Sequence, residues 1–109
     1  MGKKSDEELY EIKASILQAL AHPIRLKVVE YLSRDRKCVC DIVETVGAER
    51  SNVSRHISIL LKADLLTSSK KGLNIFYKLK MPCVLKFLSC AEEVIRKQVE
   101  LRTAILAKK

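Results

Sequence analysis

The sequence predicts a mainly α-helical fold with a small β-hairpin wing, a winged helix-turn-helix with elements in the order α-α-α-α-β-β-α. Two short segments with helical apolar spacing flank Gly47, and two strand-like segments follow them. Residues 50–80 also hold seven Lys or Arg and one Asp, a net +6 of the chain's formal +8. Because a surface that neutralises phosphates needs concentrated positive charge, this distribution favours nucleic acid as the partner.

Length and composition set the class of protein. With 109 residues, 48% of them hydrophobic and 31% charged, the chain is expected to form one globular domain over residues 1–109. No apolar run approaches the ~20 residues of a membrane span and the charged N-terminus leads into no signal-peptide core, so we expect a cytoplasmic protein without membrane contact. Four cysteines in that compartment are expected to be reduced thiols, suited to metal binding or redox chemistry. Neither a nucleophile-base set nor a Gly-rich phosphate loop is found, so no enzyme is expected.

The first three helices follow from apolar spacing and end signals. The first is expected over about residues 6–20, from apolar residues three and four positions apart: Leu9, Ile12, Ile16, Leu17 and Leu20. The second begins near Pro23, which suits a first helical turn, and stops at the charged run 33–37. The third is expected to start at Asp41 as a capping residue and to end at Gly47, which tolerates a left-handed C-cap.

The fourth helix is the predicted recognition helix. A tight turn over residues 48–50 is expected to open it at Ser51, with its apolar positions facing inward: Val53, Ile57, Leu60 and Leu61. Its first turns would then enter the major groove and present five exposed side chains: Ser51, Asn52, Ser54, Arg55 and His56. Of these, Asn52, Arg55 and His56 could reach base edges.

The predicted wing consists of strands at 65–68 and 74–79 around a basic turn at 69–72. Lys70 and Lys71 in this turn are predicted to contact phosphates, which position a protein on DNA without reading its sequence.

The last helix is expected over about 82–107 and has an unusually wide apolar arc. The arc comprises Val84, Phe87, Leu88, Ala91, Val94, Ile95, Leu101 and Ile105. This stripe exceeds what a small core needs, so we predict that the helix pairs with the first helix and with its own copy in a homodimer. A dimer also supplies the two half-sites of a palindromic operator.

Three segments together resemble the arsenic-repressor (ArsR/SmtB) family: ALAHPIRLKVVEYL, CVCDIVETV, and SNVSRHISILLKADLL with the basic wing after it. The similarity covers essentially the whole chain. It implies a homodimeric repressor that leaves its double-stranded operator DNA when an inducer binds. It also implies that Cys38 and Cys40 form the inducer site for a soft metal or metalloid, As(III) foremost or Cd or Pb, with no obligatory cofactor.

Thiol chemistry is consistent with such a site, because these ions prefer thiolates and two cysteines chelate better than one. Residues two apart point about 200° apart on a helix and to opposite faces of a strand, so Cys38 and Cys40 can grip one ion only where the backbone is irregular. We hypothesise that chelation unwinds or tilts the helix beginning at Asp41 and misplaces residues 51–56.

The third ligand stays open, since the simplest arsenic-sensing pattern has a third nearby cysteine where this chain has Val43. Cys83 and Cys90, seven residues apart on one face of the last helix, are candidates that could act with the first pair or across the dimer. The burial that is usual for free cysteines favours the other interpretation, in which each of them packs in the core.

Three other functions compete with this one. Thiol redox or persulfide sensing uses the same cysteines. An effector-independent winged-helix interaction module requires no inducer. An imidazole and carboxylate metal site on the last helix is disfavoured, because no histidine follows His56.

Overall fold

The computed structural model describes the backbone of residues 3–108 and the side chains of residues 5–108. Its elements are α1 Lys3–Leu20, α2 Pro23–Tyr31, β1 Lys37–Cys38, α3 Val39–Val46, α4 Arg50–Lys62, β2 Leu66–Lys71, β3 Asn74–Leu79 and α5 Val84–Ala107. The predicted mainly helical winged helix-turn-helix is confirmed, and the structure adds the short strand β1 to the predicted order.

The core is centred on α4, whose apolar residues follow the helical repeat. Val53, Ile57 and Leu60 are at most 1% exposed. They form one hydrophobic cluster with buried residues of the other elements: Ala19, Leu20, Val28, Val29, Leu32, Ile42, Val46, Leu65, Leu66, Leu79 and Val84. Because this face of α4 is buried, the opposite face of the helix is directed to solvent.

The turn between α3 and α4 depends on Gly47. This residue adopts φ 74° and ψ 33°, the left-handed conformation expected of a C-cap, and its N–H donates to the carbonyl oxygen of Val43 at 3.0 Å. The predicted start of α3 was wrong, however. The helix begins at Val39, with Cys38 as N-cap and no side-chain capping bond, so Asp41 lies within its first turn. The next helix, α4, begins at Arg50, one residue before the expected Ser51.

The three strands form an antiparallel sheet in the order β1-β3-β2. In β1, Cys38 lies opposite Phe76 of the wing strand β3. The hairpin is tighter than predicted, because β2 extends to Lys71 and its turn is Gly72-Leu73, with Gly72 at φ 65°. Lys70 and Lys71 therefore lie in the distal end of β2 and not in the turn.

The terminal helices leave much apolar surface uncovered. α5 starts at Val84, two residues later than expected, and only its first turns reach the core, through buried Val84 and partly buried Leu85 and Leu88. Large apolar side chains of α1 and α5 that are about half exposed or more are Leu9, Tyr10, Ile12, Leu17, Phe87, Val94, Ile95, Val99, Leu101, Ile105 and Leu106. Within residues 3–108, no helix combines the length and apolar character needed to span a membrane.

Candidate DNA-binding surface and thiol site

The exposed side of α4 presents a polar surface at its N-terminal half. Ser51, Ser54 and Arg55 are exposed, and Asn52 is partly exposed. Arg55 Nη2 donates a hydrogen bond to Asn52 Oδ1 at 2.6 Å, and the two side chains line a shallow cleft with Ser51 and Glu49. The arginine fork and the amide, two groups that read base edges in the major groove, are thereby held side by side. Their contact with DNA stays a prediction.

His56 does not belong to this surface, and the expectation that it is exposed was wrong. It is the single buried polar residue of the described chain, at 6% exposure. The physical reason is its spacing, because residues 53, 56, 57 and 60 share one face of a helix. Helical periodicity could have revealed this position, but imidazole polarity suggested an exposed location.

His56 takes part in a contact network that the sequence did not indicate. Arg25 Nε donates to His56 Nδ1 at 3.1 Å, and the ring of His22 lies 4.2 Å from that of His56, centroid to centroid. His22 is also the N-cap of α2, since its Nδ1 accepts a hydrogen bond from the Ile24 amide at 3.1 Å. Burial, together with the nearby His22, Arg25 and Arg55, holds the pKa of His56 below its usual value of 6.5.

The wing contributes a second basic surface. From Thr67 through Lys71 the residues of β2 are exposed, so Lys70 and Lys71 project from the hairpin into solvent close to its tip. Lys78 on β3 is also exposed and lies opposite Thr67. By contrast, Lys80 pairs with Asp64 at 2.8 Å, which leaves less of its charge for an external partner.

Cys38 and Cys40 lie where the backbone changes from strand to helix. Cys38 is partly buried and has extended dihedral angles, φ −79° and ψ 161°, while exposed Cys40 is the second residue of α3. Neither the regular helix rule nor the regular strand rule for residues two apart applies across this junction. The irregular backbone that a shared ion requires is therefore present between the two thiols.

Cys83 and Cys90 are both exposed, so within one chain they do not pack in the core as the alternative interpretation held. Cys83 precedes the first turn of α5, and Cys90 lies in the helix. Across the described residues, no three His, Cys, Asp or Glu side chains converge to hold a metal ion. Cys38 and Cys40 thus lie two residues apart at the start of α3, whereas Cys83 and Cys90 lie at the start of α5 and within it.

Comparison with known proteins gives the family. The profile of the arsR family of bacterial regulatory proteins matches residues 22–68. The chain is 32% identical over 101 residues to the uncharacterized HTH-type transcriptional regulator Rv0081 of Mycobacterium tuberculosis, covering 92% of this chain and 89% of that protein. It is 40% identical over 63 residues to the arsenical resistance operon repressor of Bacillus subtilis, covering 57% of this chain and 60% of the relative.

The fold is that of solved winged-helix regulators. A homodimeric winged helix-turn-helix DNA-binding domain, Mb0332 from Mycobacterium bovis, superposes with a TM-score of 0.78 at 19% identity, over 92% of each chain. Relatives and fold alike are those of transcriptional regulators, which are not enzymes. This chain belongs to the ArsR/SmtB family of DNA-binding transcriptional repressors.

Proposed function

We propose that this repressor holds operator DNA as a homodimer and releases it when a thiophilic ion, As(III) foremost or Cd or Pb, binds the thiolates of Cys38 and Cys40. The observation that carries the proposal is the position of the pair. Cys38 belongs to a strand hydrogen-bonded to the wing, and Cys40 belongs to the helix that precedes the recognition helix. An ion at this junction would act on both DNA-contacting elements.

DNA binding is assigned to α4 and the wing. Asn52 and Arg55 are expected to read base edges, and Ser51 and Ser54 to contact the sugar-phosphate backbone beside them. Lys70 and Lys71 are expected to contact phosphates next to the groove that α4 occupies. His56 acts from inside the protein and not on the DNA, because its ring is buried.

The homodimer is assigned to the terminal helices. Their exposed apolar side chains are too many to be left in water, and only the start of α5 is covered by its own chain. Pairing α1 and α5 with a second copy would bury this surface and place two recognition helices on one duplex.

Inducer release would work through local geometry. To share one ion, Sγ of Cys38 and Sγ of Cys40 must converge across a junction in which one residue is paired to Phe76 and the other is helical. Convergence would strain either the β1–β3 pairing or the first turn of α3. Since α3 packs through Ile42 and Val46 into the same core as α4, the strain would reach the recognition helix.

Redox or persulfide sensing is the second candidate, and the exposure of Cys40, Cys83 and Cys90 favours it because oxidants reach exposed thiols. In this case a disulfide or persulfide, not a bound ion, would disturb the same junction.

We expect Arg55→Ala to weaken binding to a duplex selected from a random pool by about 1–3 kcal/mol and to relax its sequence preference, because a base contact is lost. Lys70→Ala should weaken binding to all duplexes by a similar factor. It should also reduce the slope of log affinity against log salt concentration by about 1. Fluorescence anisotropy at several salt concentrations measures both effects. Arg96→Ala on α5, which removes an exposed arginine paired only with Glu92, is the control and should change neither. Equal behaviour of all three variants would refute the assignment.

Two charges placed in the apolar arc of α5, Val94→Glu with Ile105→Glu, should convert the dimer to monomer and abolish operator binding at the same protein concentration, because carboxylates would be buried at the interface. Sedimentation velocity measures the state of association. The matched control is Ser89→Glu with Thr103→Glu, which adds the same charges on the polar side of the helix. A dimer that survives the first pair of changes would place the interface elsewhere.

Arsenite should release the fully reduced wild-type protein from DNA, lowering its affinity by about 5–150-fold as typical allosteric couplings do. The variant Cys38→Ser, Cys40→Ser should bind DNA normally and ignore arsenite, whereas Cys83→Ser, Cys90→Ser should respond as wild type does. Anisotropy of labelled duplex in the presence of a phosphine reductant measures release. Persistent release in the first variant would contradict the proposed site. Release that requires an oxidant or persulfide and not arsenite would favour redox sensing.

A further inference from the structure

We propose that Arg25 and His56 are positioning residues that fix the recognition helix against α1 and α2, and that they do so only while the His56 imidazole is neutral, so that DNA affinity falls in acid. The inference rests on the proposed binding of DNA by α4. Neither residue belongs to the DNA-binding surface described above.

Arg25 connects three helices through one guanidinium group. It belongs to α2, and its Nη1 donates to the carbonyl oxygens of Gln18 and Ala19 at 3.2 and 3.1 Å, near the end of α1. The last carbonyls of a helix have no amide partner within it, so these are natural acceptors. The Nε of the same side chain donates to His56 in α4. Removing Arg25 would therefore break the hydrogen-bonded connection between α4 and α1, one of the predicted dimerisation helices.

The hydrogen bond defines the protonation state of His56. Since Arg25 Nε–H is the donor, Nδ1 of His56 must carry a lone pair, and the ring must be neutral with its proton on Nε2. The neighbouring His22 is likewise an acceptor at Nδ1, where it receives the Ile24 amide. A proton on His56 Nδ1 would replace an acceptor by a donor and set a second cation against Arg25.

The charged and titratable groups around His56 all oppose its protonation. His22 and Arg25 face it from α2, and Arg55 lies beside it on α4, while α1 contributes the carbonyl oxygens that hold Arg25. Burial is the largest cause, and together with these charges it holds the pKa of His56 in the folded protein below its usual value of 6.5. The unfolded chain then binds more protons at mildly acidic pH. The stabilisation is complete above about pH 6.5 and is lost as the pH falls from there through the lower folded pKa.

The direction of this pH dependence distinguishes the proposed role from one in which the His56 side chain itself contacts DNA. An exposed histidine on a DNA-binding surface gains a phosphate contact when it is protonated, so the affinity of the protein for DNA would rise in acid. His56 lies next to Arg55 in sequence but inside the protein, and its protonation would shift the helix that carries Arg55. We therefore expect affinity to fall.

The test is the affinity of the full chain for a duplex selected from a random pool, measured from about pH 7.5 to about pH 5.5 at constant ionic strength. Wild type should weaken by about fivefold or more across this range, as expected when a hydrogen bond to a charged group is lost. His56→Gln, which keeps an acceptor but cannot titrate, should bind within about twofold of wild type at the upper pH and show little pH dependence. Lys27→Ala, which removes an exposed charge from α2, should keep the wild-type slope.

Arg25→Ala should bind at the upper pH about as weakly as wild type does at the lower pH, because the Arg25–His56 hydrogen bond is absent in both. A second measurement, which does not depend on DNA, is the midpoint of thermal unfolding as a function of pH. As the pH falls, this midpoint should decline more steeply in wild type than in His56→Gln. An unchanged slope in His56→Gln, in affinity and in unfolding, would overturn the inference, as would affinity that rises in acid. If wild type binds no duplex at any pH, the proposed function fails, and the unfolding comparison still decides the role of His56.

Discussion

The structure depends on burial of one face of the recognition helix. Val53, Ile57 and Leu60 contribute nearly complete side chains to the core, and burying each such side chain stabilises a fold by about 1.5–3 kcal/mol. This burial sets the rotation of α4 about its axis. With the apolar face fixed inward, Asn52 and Arg55 are directed to solvent and held together by their mutual hydrogen bond. The proposed DNA contacts and the core residues thus occupy opposite faces of one helix of 13 residues.

Because α4 carries both the core face and the proposed DNA contacts, small displacements of its neighbours would alter DNA binding. Two polar features lie in elements that pack against α4. The thiol pair lies at the start of α3, one helix earlier in the chain, and is joined to the wing by the Cys38–Phe76 pairing. The Arg25 guanidinium ties α4 to the ends of α1 and α2. A packed core transmits such displacements as shifts of whole elements, since its interior has little free volume to absorb them. Such shifts would be the physical basis of the proposed control of DNA binding from residues that do not touch DNA.

The elements whose signals are local could be predicted from the sequence. Helical spacing placed α1, α2, α4 and α5, and Gly47 marked the turn between α3 and α4 because few other residues adopt its positive φ. The strand β1 was not predicted, since two residues carry no periodic pattern and the strand exists only by pairing with residues about 40 positions later. That strand determines where α3 begins, so the start of α3 was misplaced with it.

The candidate site was predicted less completely than the fold. Its exposed polar residues and the cysteine pair could be named from residue type and spacing. His56 was misassigned, because residue type suggested a DNA contact while its position in the helical repeat required burial. Arg25 gave no sequence signal, since its role depends on tertiary contacts to Ala19 and His56. The exposure of Cys83 and Cys90 likewise follows from how little of α5 its own chain covers.

The most direct test of the account is amide hydrogen exchange of the reduced protein with and without one equivalent of arsenite. We expect arsenite to speed exchange in the first turn of α3 and in β3 around Phe76, extending to the start of α4, and to change nothing in the Cys38→Ser, Cys40→Ser variant. Exchange that is unaltered at this junction, or altered only around Cys83 and Cys90, would contradict control of DNA binding from the thiol pair.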